Sequence, residues 1–300
     1  MPPARNLLFS MLIKSIDTGP FKLDGGAMFG VVPKSIWQKS NPADDRNLCD
    51  WALRNLLVET RDADGRPRLM LVDTGAGDKQ DAKFFEYYDL PNGKTLTNAV
   101  EQAGYSVNDV TDVLLTHLHF DHAGGAMRWA DAGRTKLEAT FPQATYWSHS
   151  EQWDWATAPN SRERATYLRE NFMPLHENGQ LRFTDHDALN LPGVELLYVD
   201  GHTEKMTLPL FQLGDGNNPR TAVFCADLIP SVAHVPIPYV MGYDVRPLVT
   251  MDEKTHLLNR AVDENWLLLF DHDPTCEAAT VERTEKGIRV KERGTLAELL

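Results

Sequence analysis

Four separate apolar runs in this chain each break off on an imidazole or a carboxylate. Residues 112–117 (DVLLTH) reach His117, with His119, Asp121 and His122 close behind. Residues 194–202 (VELLYVDGH) reach His202, residues 221–227 (TAVFCAD) reach Asp227, and residues 266–272 (WLLLFDH) reach Asp271 and His272. Each apolar part is short, aliphatic or aromatic, and reads as a strand. Open α/β sheets gather their functional groups at the C-terminal edge of the strands, so these four ends can converge.

Residues 53–60 (LRNLLVET) and 68–75 (RLMLVDTG) read as further strands. Residues 6–13 (NLLFSMLI) read as a first strand rather than a secretion signal, because no small-residue cleavage site follows and Lys14 and Asp17 come at once. Helical patterns cover 95–104, opening on Thr95 and stopping at Gly104, then 161–171, opening on Ser161, and 252–265, opening on Asp252. Residues 213–220 (LGDGNNPR) read as a turn between two strands. Strands alternating with helices imply a layered α/β fold. No repeat, linker or composition shift marks a boundary, so residues 1–300 are read as one domain.

Charge and cysteine content narrow the partners. A net charge of −13 argues against nucleic acid or an anionic membrane as the main partner. No apolar stretch approaches the ~20 residues that span a bilayer. Cys49, Cys225 and Cys276 are odd in number and widely spaced, so no disulfide framework is indicated. The expectation is a soluble, cytoplasmic protein acting on a small molecule, with a homodimer left open.

The segment 116–125 (THLHFDHAGG) carries the densest chemistry. In an extended backbone residues i and i+2 point the same way, so His117 and His119 can grip one ion together. Asp121 and His122 follow the turn and can reach a second ion beside it. Gly124 and Gly125 are expected to let the backbone turn tightly into a following helix. Neutral imidazole nitrogen and carboxylate oxygen suit zinc, and also iron, manganese or cobalt. The isolated His149, His176, His186 and His256 are read as structural or surface residues.

The H-x-H-x-D-H motif, the downstream DGHTEKM, the FCADL aspartate and the final FDHDP together resemble the metallo-β-lactamase superfamily. The resemblance implies a four-layer αβ/βα sandwich: two mixed β-sheets with helices on the outer faces, and two divalent metal ions at one edge. It implies that His117, His119 and His202 hold the first ion. Asp121, His122 and His272 would hold the second, with Asp227 bridging and Asp73 bracing the site from behind. A water shared by two cations ionises near neutral pH, so a metal-bridging hydroxide would attack the substrate, with Asp121 passing a proton to the leaving group.

Within the superfamily the chain is most similar to the quorum-quenching N-acyl homoserine lactonases and to the methyl parathion hydrolases. Asp227 stands where the best-known zinc β-lactamases carry cysteine; Cys225, two residues earlier, could share that strand face. The expected activity is therefore a lactonase opening N-acyl homoserine lactones, the alternative being a phosphotriesterase or phosphodiesterase on the same site. A di-iron redox protein and an inactive scaffold are weaker readings. Two departures stand out. HTEKM replaces the commoner G-H-T-P-G turn. Pro230 occupies the position where lactonases usually place a carbonyl-polarising tyrosine. His234, with Tyr239 as second choice and Tyr243 in the same loop, is expected to supply that donor. Met28, Phe29, Trp37, Trp147, Trp153, Trp155, Met241 and Tyr243 are the candidates for an acyl-chain groove.

Overall fold

A computed structural model describes residues 11–90, 96–214 and 219–300. The first ten residues, including part of the expected first strand, lie outside the described residues, as do the Thr95 cap and the middle of the 213–220 turn. The chain lays down β1 (Leu12–Asp24), β2 (Leu48–Arg61), β3 (Pro67–Val72) and β4 (Asp112–Leu114). A separate hairpin follows, β5 (Met127–Trp129) and β6 (Leu137–Ala139), then β7 (Thr145–Ser148) and β8 (Leu181–Phe183). The second half supplies β9 (Val194–Val199), β10 (Met206–Leu213), β11 (Arg220–Phe224), β12 (Leu267–Leu269), β13 (Ala278–Thr284) and β14 (Gly287–Gly294).

Two six-stranded sheets result, in the orders β1-β2-β3-β4-β7-β8 and β14-β13-β12-β11-β10-β9. Both are mixed. β3, β4, β7 and β8 run parallel while β1, β2 and β3 are antiparallel neighbours. In the second sheet only the β11–β12 pair is parallel.

The two-residue period of the strands decides what each face buries. In β3, Met70 and Val72 point into the space between the sheets, where Leu56, Val58, Leu208, Leu210, Phe224 and Leu268 meet them. Leu69 and Leu71 point the other way, against Leu96 and Val100 of the helix Leu96–Gln102 and Leu175 of the helix Met173–Glu177. The outer side of the second sheet is covered by the helix Pro247–Asp263 through Leu257, Leu258 and Ala261. Each such leucine, valine, methionine or phenylalanine contributes roughly 1.5–3 kcal/mol by leaving water. The expected four-layer sandwich of helix, sheet, sheet and helix is the architecture observed.

The helix expected over 161–171 does not form. Residues 161–166 are turns, and only a 3-10 turn at Arg169–Asn171 follows. Asn160 Oδ1 accepts from the backbone of Arg162 and Glu163, and the Glu163 carboxylate is drawn inward to Thr203 and Trp155. Tertiary polar contacts outweigh a helical propensity worth only tenths of a kcal/mol per residue. The last of the three expected helices starts five residues earlier than Asp252, with Pro247 in its first turn, where a missing N–H costs nothing.

Candidate metal centre

Every predicted ligand follows the C-terminal end of a strand. β3 ends before Asp73, β4 before His117, β9 before His202, β11 before Asp227 and β12 before His272. Two of these ends carry backbone that L-residues adopt rarely: Asp73 has φ 59° and Ala226 has φ 42°. The turn after His202 places Lys205 at φ 48°, anchored by Asp200, whose carboxylate accepts from the Lys205 backbone N–H and Nζ at 3.0 Å. HTEKM thus makes, with a lysine, a turn for which glycine is the unstrained choice.

The glycines of the motif serve a different purpose from the one expected. Neither Gly124 nor Gly125 has a positive φ. They sit where a Cβ would overlap the carbonyl oxygens of Ala76 and Thr74, so the requirement is close approach of two backbones.

The imidazoles converge on Asp227. His117 Nε2 lies 3.0 Å from His119 Nδ1, which lies 3.2 Å from His202 Nε2. Asp227 Oδ2 is 3.0 Å from His202 Nε2, 3.8 Å from His117 Nε2 and 3.5 Å from His122 Nε2, while Oδ1 is 3.2 Å from His272 Nε2. Two overlapping groups could therefore each hold a metal ion: His117, His119, His202 and Asp227, and His122, Asp227, Asp271 and His272. Asp121 faces the second group from the cavity side, 3.8 Å from His272 Nε2 and 4.0 Å from His122 Nε2. Asp271 was not expected among the ligands. Its Oδ2 lies 3.6 Å from His272 Nε2, and its Oδ1 accepts the His272 backbone N–H.

The donor set fits divalent ions. His122 Nε2, His272 Nε2, Asp227 Oδ1 and Asp271 Oδ2 are buried without a hydrogen-bond partner, a cost that a bound cation would remove. The outward nitrogens are held from behind, as metal-binding imidazoles require. His122 Nδ1 is 2.9 Å from Asp73, whose carboxylate also accepts from Thr116; His117 Nδ1 is 3.0 Å from Thr116 Oγ1. His202 Nδ1 is 2.9 Å from Asp244, and His272 Nδ1 donates to the Ala52 carbonyl at 2.8 Å. Asp244 was missed from sequence, since it lies 42 residues beyond its partner in a loop without a motif.

The electrostatics of the metal-free cage follow from burial and Asp227. Burial and the neighbouring imidazoles push His117 well below the usual histidine range, and burial lowers His119. Burial also opposes charge on His122, His202 and His272, but the carboxylates around them prevail. His122 stands well above its ordinary value, with His202 raised to about 10 and His272 to about 9. Asp227 is itself buried, yet His202, His122 and His272 hold its carboxyl well below the ordinary range.

A cavity of about 350 Å³ opens above the cage, lined by His119, Asp121, Asp227 and His272 at its floor. Leu23, Met28, Phe120, Met241, Tyr88 and Tyr243 form apolar walls, and Arg162, Glu163 and Thr166 close one side. Of the expected groove residues, Met28, Met241 and Tyr243 line it. Phe29, Trp37 and Trp147 are core instead, and Trp153 and Trp155 pack behind β7. Cys225 is fully buried between the sheets. His149 caps the helix Ser150–Thr157, and His176 stacks on Trp153.

The structure does not bring His234 into this cavity. Its Nε2 lies 2.9 Å from the Met28 carbonyl, its Nδ1 lies 2.7 Å from Ser231 Oγ, and its ring stacks on Phe29 at 4.7 Å. Burial pushes its pKa down to about 3. With both nitrogens engaged, no N–H is left for a substrate. Tyr239 packs edge-on against Phe29 and does not line the cavity either. The phenols that do are Tyr88 and Tyr243. Burial raises both, Tyr88 to about 12, so each keeps its proton at neutral pH.

Known proteins are similar to this chain. The model of the metallo-beta-lactamase superfamily matches residues 64–259. A probable metallo-hydrolase of Mycobacterium tuberculosis is 29% identical over 248 residues, covering 73% of this chain and 74% of its own length. An N-acyl homoserine lactonase of Bacillus cereus is 27% identical over 179 residues, 56% of this chain and 60% of the lactonase. Among solved structures, a probable metal-dependent hydrolase from Staphylococcus aureus superposes with a TM-score of 0.81 at 26% identity, covering 95% of this chain and 96% of that one. A dizinc quorum-quenching lactonase superposes with a TM-score of 0.73 at 20% identity, covering 96% and 98%, and shows the shared fold.

Proposed function

The chain belongs to the metallo-β-lactamase superfamily, and from that premise we propose that it is a dinuclear metal-dependent hydrolase that opens N-acyl homoserine lactones or closely related neutral esters. The observation that carries this reading is the gathering of five imidazoles around Asp227, four of them within 3.8 Å of its oxygens, beneath an apolar-walled cavity. His117, His119, His202 and Asp227 would hold one ion; His122, His272 and Asp227 would hold the other, with Asp121 and Asp271 as the further carboxylates beside it. Bound there, two divalent ions would supply Lewis acidity and an activated water.

The chain's own residues account for the rest. Asp227, common to both groups, would hold both ions. Asp121, on the cavity side, is placed to carry a proton toward a leaving alkoxide. Tyr88 and Tyr243 present protonated phenols that can donate to a substrate carbonyl, a role the buried His234 cannot fill. Leu23, Met28 and Met241 offer an apolar surface to an acyl tail.

Charge favours a neutral substrate. The lining carries three carboxylates, Asp121, Glu163 and Asp227, and its one lysine or arginine is Arg162. That guanidinium is already committed to the carbonyls of Gly242 and Asp244. Lactones and phosphotriesters bring no charge to this wall, whereas a phosphodiester would bring an anion that meets no uncommitted lysine or arginine on the lining and would rely on the ions alone. The runner-up is therefore the triester.

Comparing kcat/KM of the metal-loaded protein on an N-acyl homoserine lactone, an aryl ester, a phosphotriester, a phosphodiester and a β-lactam tests the reading. The lactone is expected to lead and the phosphodiester to trail. A triester preferred by more than about tenfold would transfer the assignment to the runner-up.

A further inference from the structure

Four of the five cage imidazoles have a close partner on the nitrogen that faces away from the ions: Thr116, Asp73, Asp244 and the Ala52 carbonyl, all within 3.0 Å. His119 is the exception. It turns Nδ1 toward His117 and His202, which leaves Nε2 facing outward. The group that meets this nitrogen is Glu163 Oε1, at 3.5 Å.

Glu163 is held there firmly. It is buried. Thr203 Oγ1 donates to Oε1 at 2.7 Å, while Trp155 Nε1 donates to Oε2 at 2.7 Å and Asn160 Nδ2 at 2.5 Å. Tyr167 adds its hydroxyl at 3.3 Å, and its ring packs against His119 with centroids 4.8 Å apart. Thr203 directly follows His202, so one carboxylate touches the chain at two ligands of the same ion. Glu163 also lines the cavity, together with Arg162, Ala165 and Thr166. Arg162 reaches across to the carbonyls of Gly242 and Asp244, and Asp244 is the partner of His202.

We propose that Glu163 is a positioning residue of the first-ion site: it accepts the Nε2–H of His119, selects the tautomer that leaves Nδ1 free for the ion, and so couples the 162–166 wall of the cavity to metal affinity. The proposal rests on the metal-binding reading of the cage and on nothing about the substrate. Hydrogen-bond partners behind a ligating histidine fix its tautomer and raise its basicity, and losing one costs about 10- to 100-fold in metal affinity or activity. Glu163→Gln keeps the size of the side chain and removes the charge; Glu163→Leu removes the acceptor as well.

The measurement is the affinity of the full chain for Zn²⁺ and Co²⁺, by competition with a chromophoric chelator, with the visible spectrum of the Co²⁺ form as a second readout. Folding of each variant is checked by cooperative thermal unfolding. E163Q should bind the ion held by His117, His119 and His202 about 10- to 100-fold less tightly, with altered Co²⁺ bands, and E163L less tightly still. A residue that only supports the fold would lower the melting temperature and leave the affinity of the folded fraction unchanged. Affinity within twofold of the parent in both variants would overturn the proposal. Should neither variant fold, nitrogen NMR of the metal-free parent decides, because the proposal requires the Nε2–H tautomer at His119 and the Nδ1–H tautomer contradicts it. A parent that binds no metal would overturn this proposal and the dinuclear reading together. A parent that binds two ions but ignores lactones would remove only the substrate assignment.

Discussion

Filling the cage with metal should expel protons, and the number follows from the electrostatics of its own side chains. In the metal-free protein His122 is held well above the ordinary histidine range, His202 is raised to about 10 and His272 to about 9. All three therefore carry a proton at pH 7.5, set against the ionised Asp227. His117 and His119 are lowered and stay neutral. An ion needs the lone pair that each proton occupies, so loading both sites at pH 7.5 should release about three protons from imidazole alone. Ionisation of a coordinated water adds up to about one more. Unperturbed imidazoles with a pKa near 6.5 would be only about one-tenth protonated at that pH, and the same three would release roughly 0.3. Titration calorimetry of Zn²⁺ into metal-free protein, repeated in buffers of different ionisation enthalpy, counts the protons directly. Release should shrink as the pH is raised through 9 and 10. A count near zero at pH 7.5 would refute the claim that Asp227 and its neighbours charge these histidines.

Two other outcomes are expected. Lys254 is fully buried, donates to the carbonyls of Pro236, Ile237 and Tyr239, and has its pKa pushed down by burial to about 7. Between that value and about 10.4 the unfolded chain holds a proton that the folded chain lacks, so this residue makes stability rise with pH across the window, by on the order of 2–4 kcal/mol. Lys254→Met should flatten that rise in denaturant unfolding at pH 6.5, 8 and 9.5; parallel curves for parent and variant would count against it. Gly124→Ala would press a Cβ into the Ala76 carbonyl at a φ that alanine tolerates, so overpacking alone should destabilise the protein by about 1–3 kcal/mol and lower its metal content. An unfolding free energy unchanged within about 0.5 kcal/mol would show that the two backbones can part.

What could be read from the sequence was local. H-x-H-x-D-H places its candidate ligands within one turn of chain, and each remaining candidate sits directly after an apolar strand, so short-range pattern was enough to point to His202, Asp227 and His272. The groups that orient those ligands were legible only where the resemblance supplied them, as with Asp73. Asp244 and Glu163 act across 42 and 44 residues of chain, and nothing near either one marks it. β14 was missed because its charged side chains line an exposed edge, and β13 because its buried part is only Ala278–Val281, too short and too small in side chain to read as an apolar run. The helix expected over 161–171 failed for the same long-range reason that makes Glu163 interesting. Its side chain is used inward, against Thr203 and Trp155, instead of along a helix face. His234 misled because proximity in sequence to Asp227 was taken for proximity to substrate, whereas the 3-10 turn Val232–His234 aims the ring at Met28 and Phe29.

Metal stoichiometry is the most direct test of the central claim. Purified protein, stripped and then reloaded with Zn²⁺, Co²⁺ or Mn²⁺, is passed over a desalting column and analysed for metal and protein content. The two groups that share Asp227 predict close to two ions per chain for at least one of these metals, falling to about one or less in Asp227→Ala, which removes the oxygens common to both. A parent that stays below one ion per chain with all three metals would contradict the dinuclear centre and the hydrolytic function built on it.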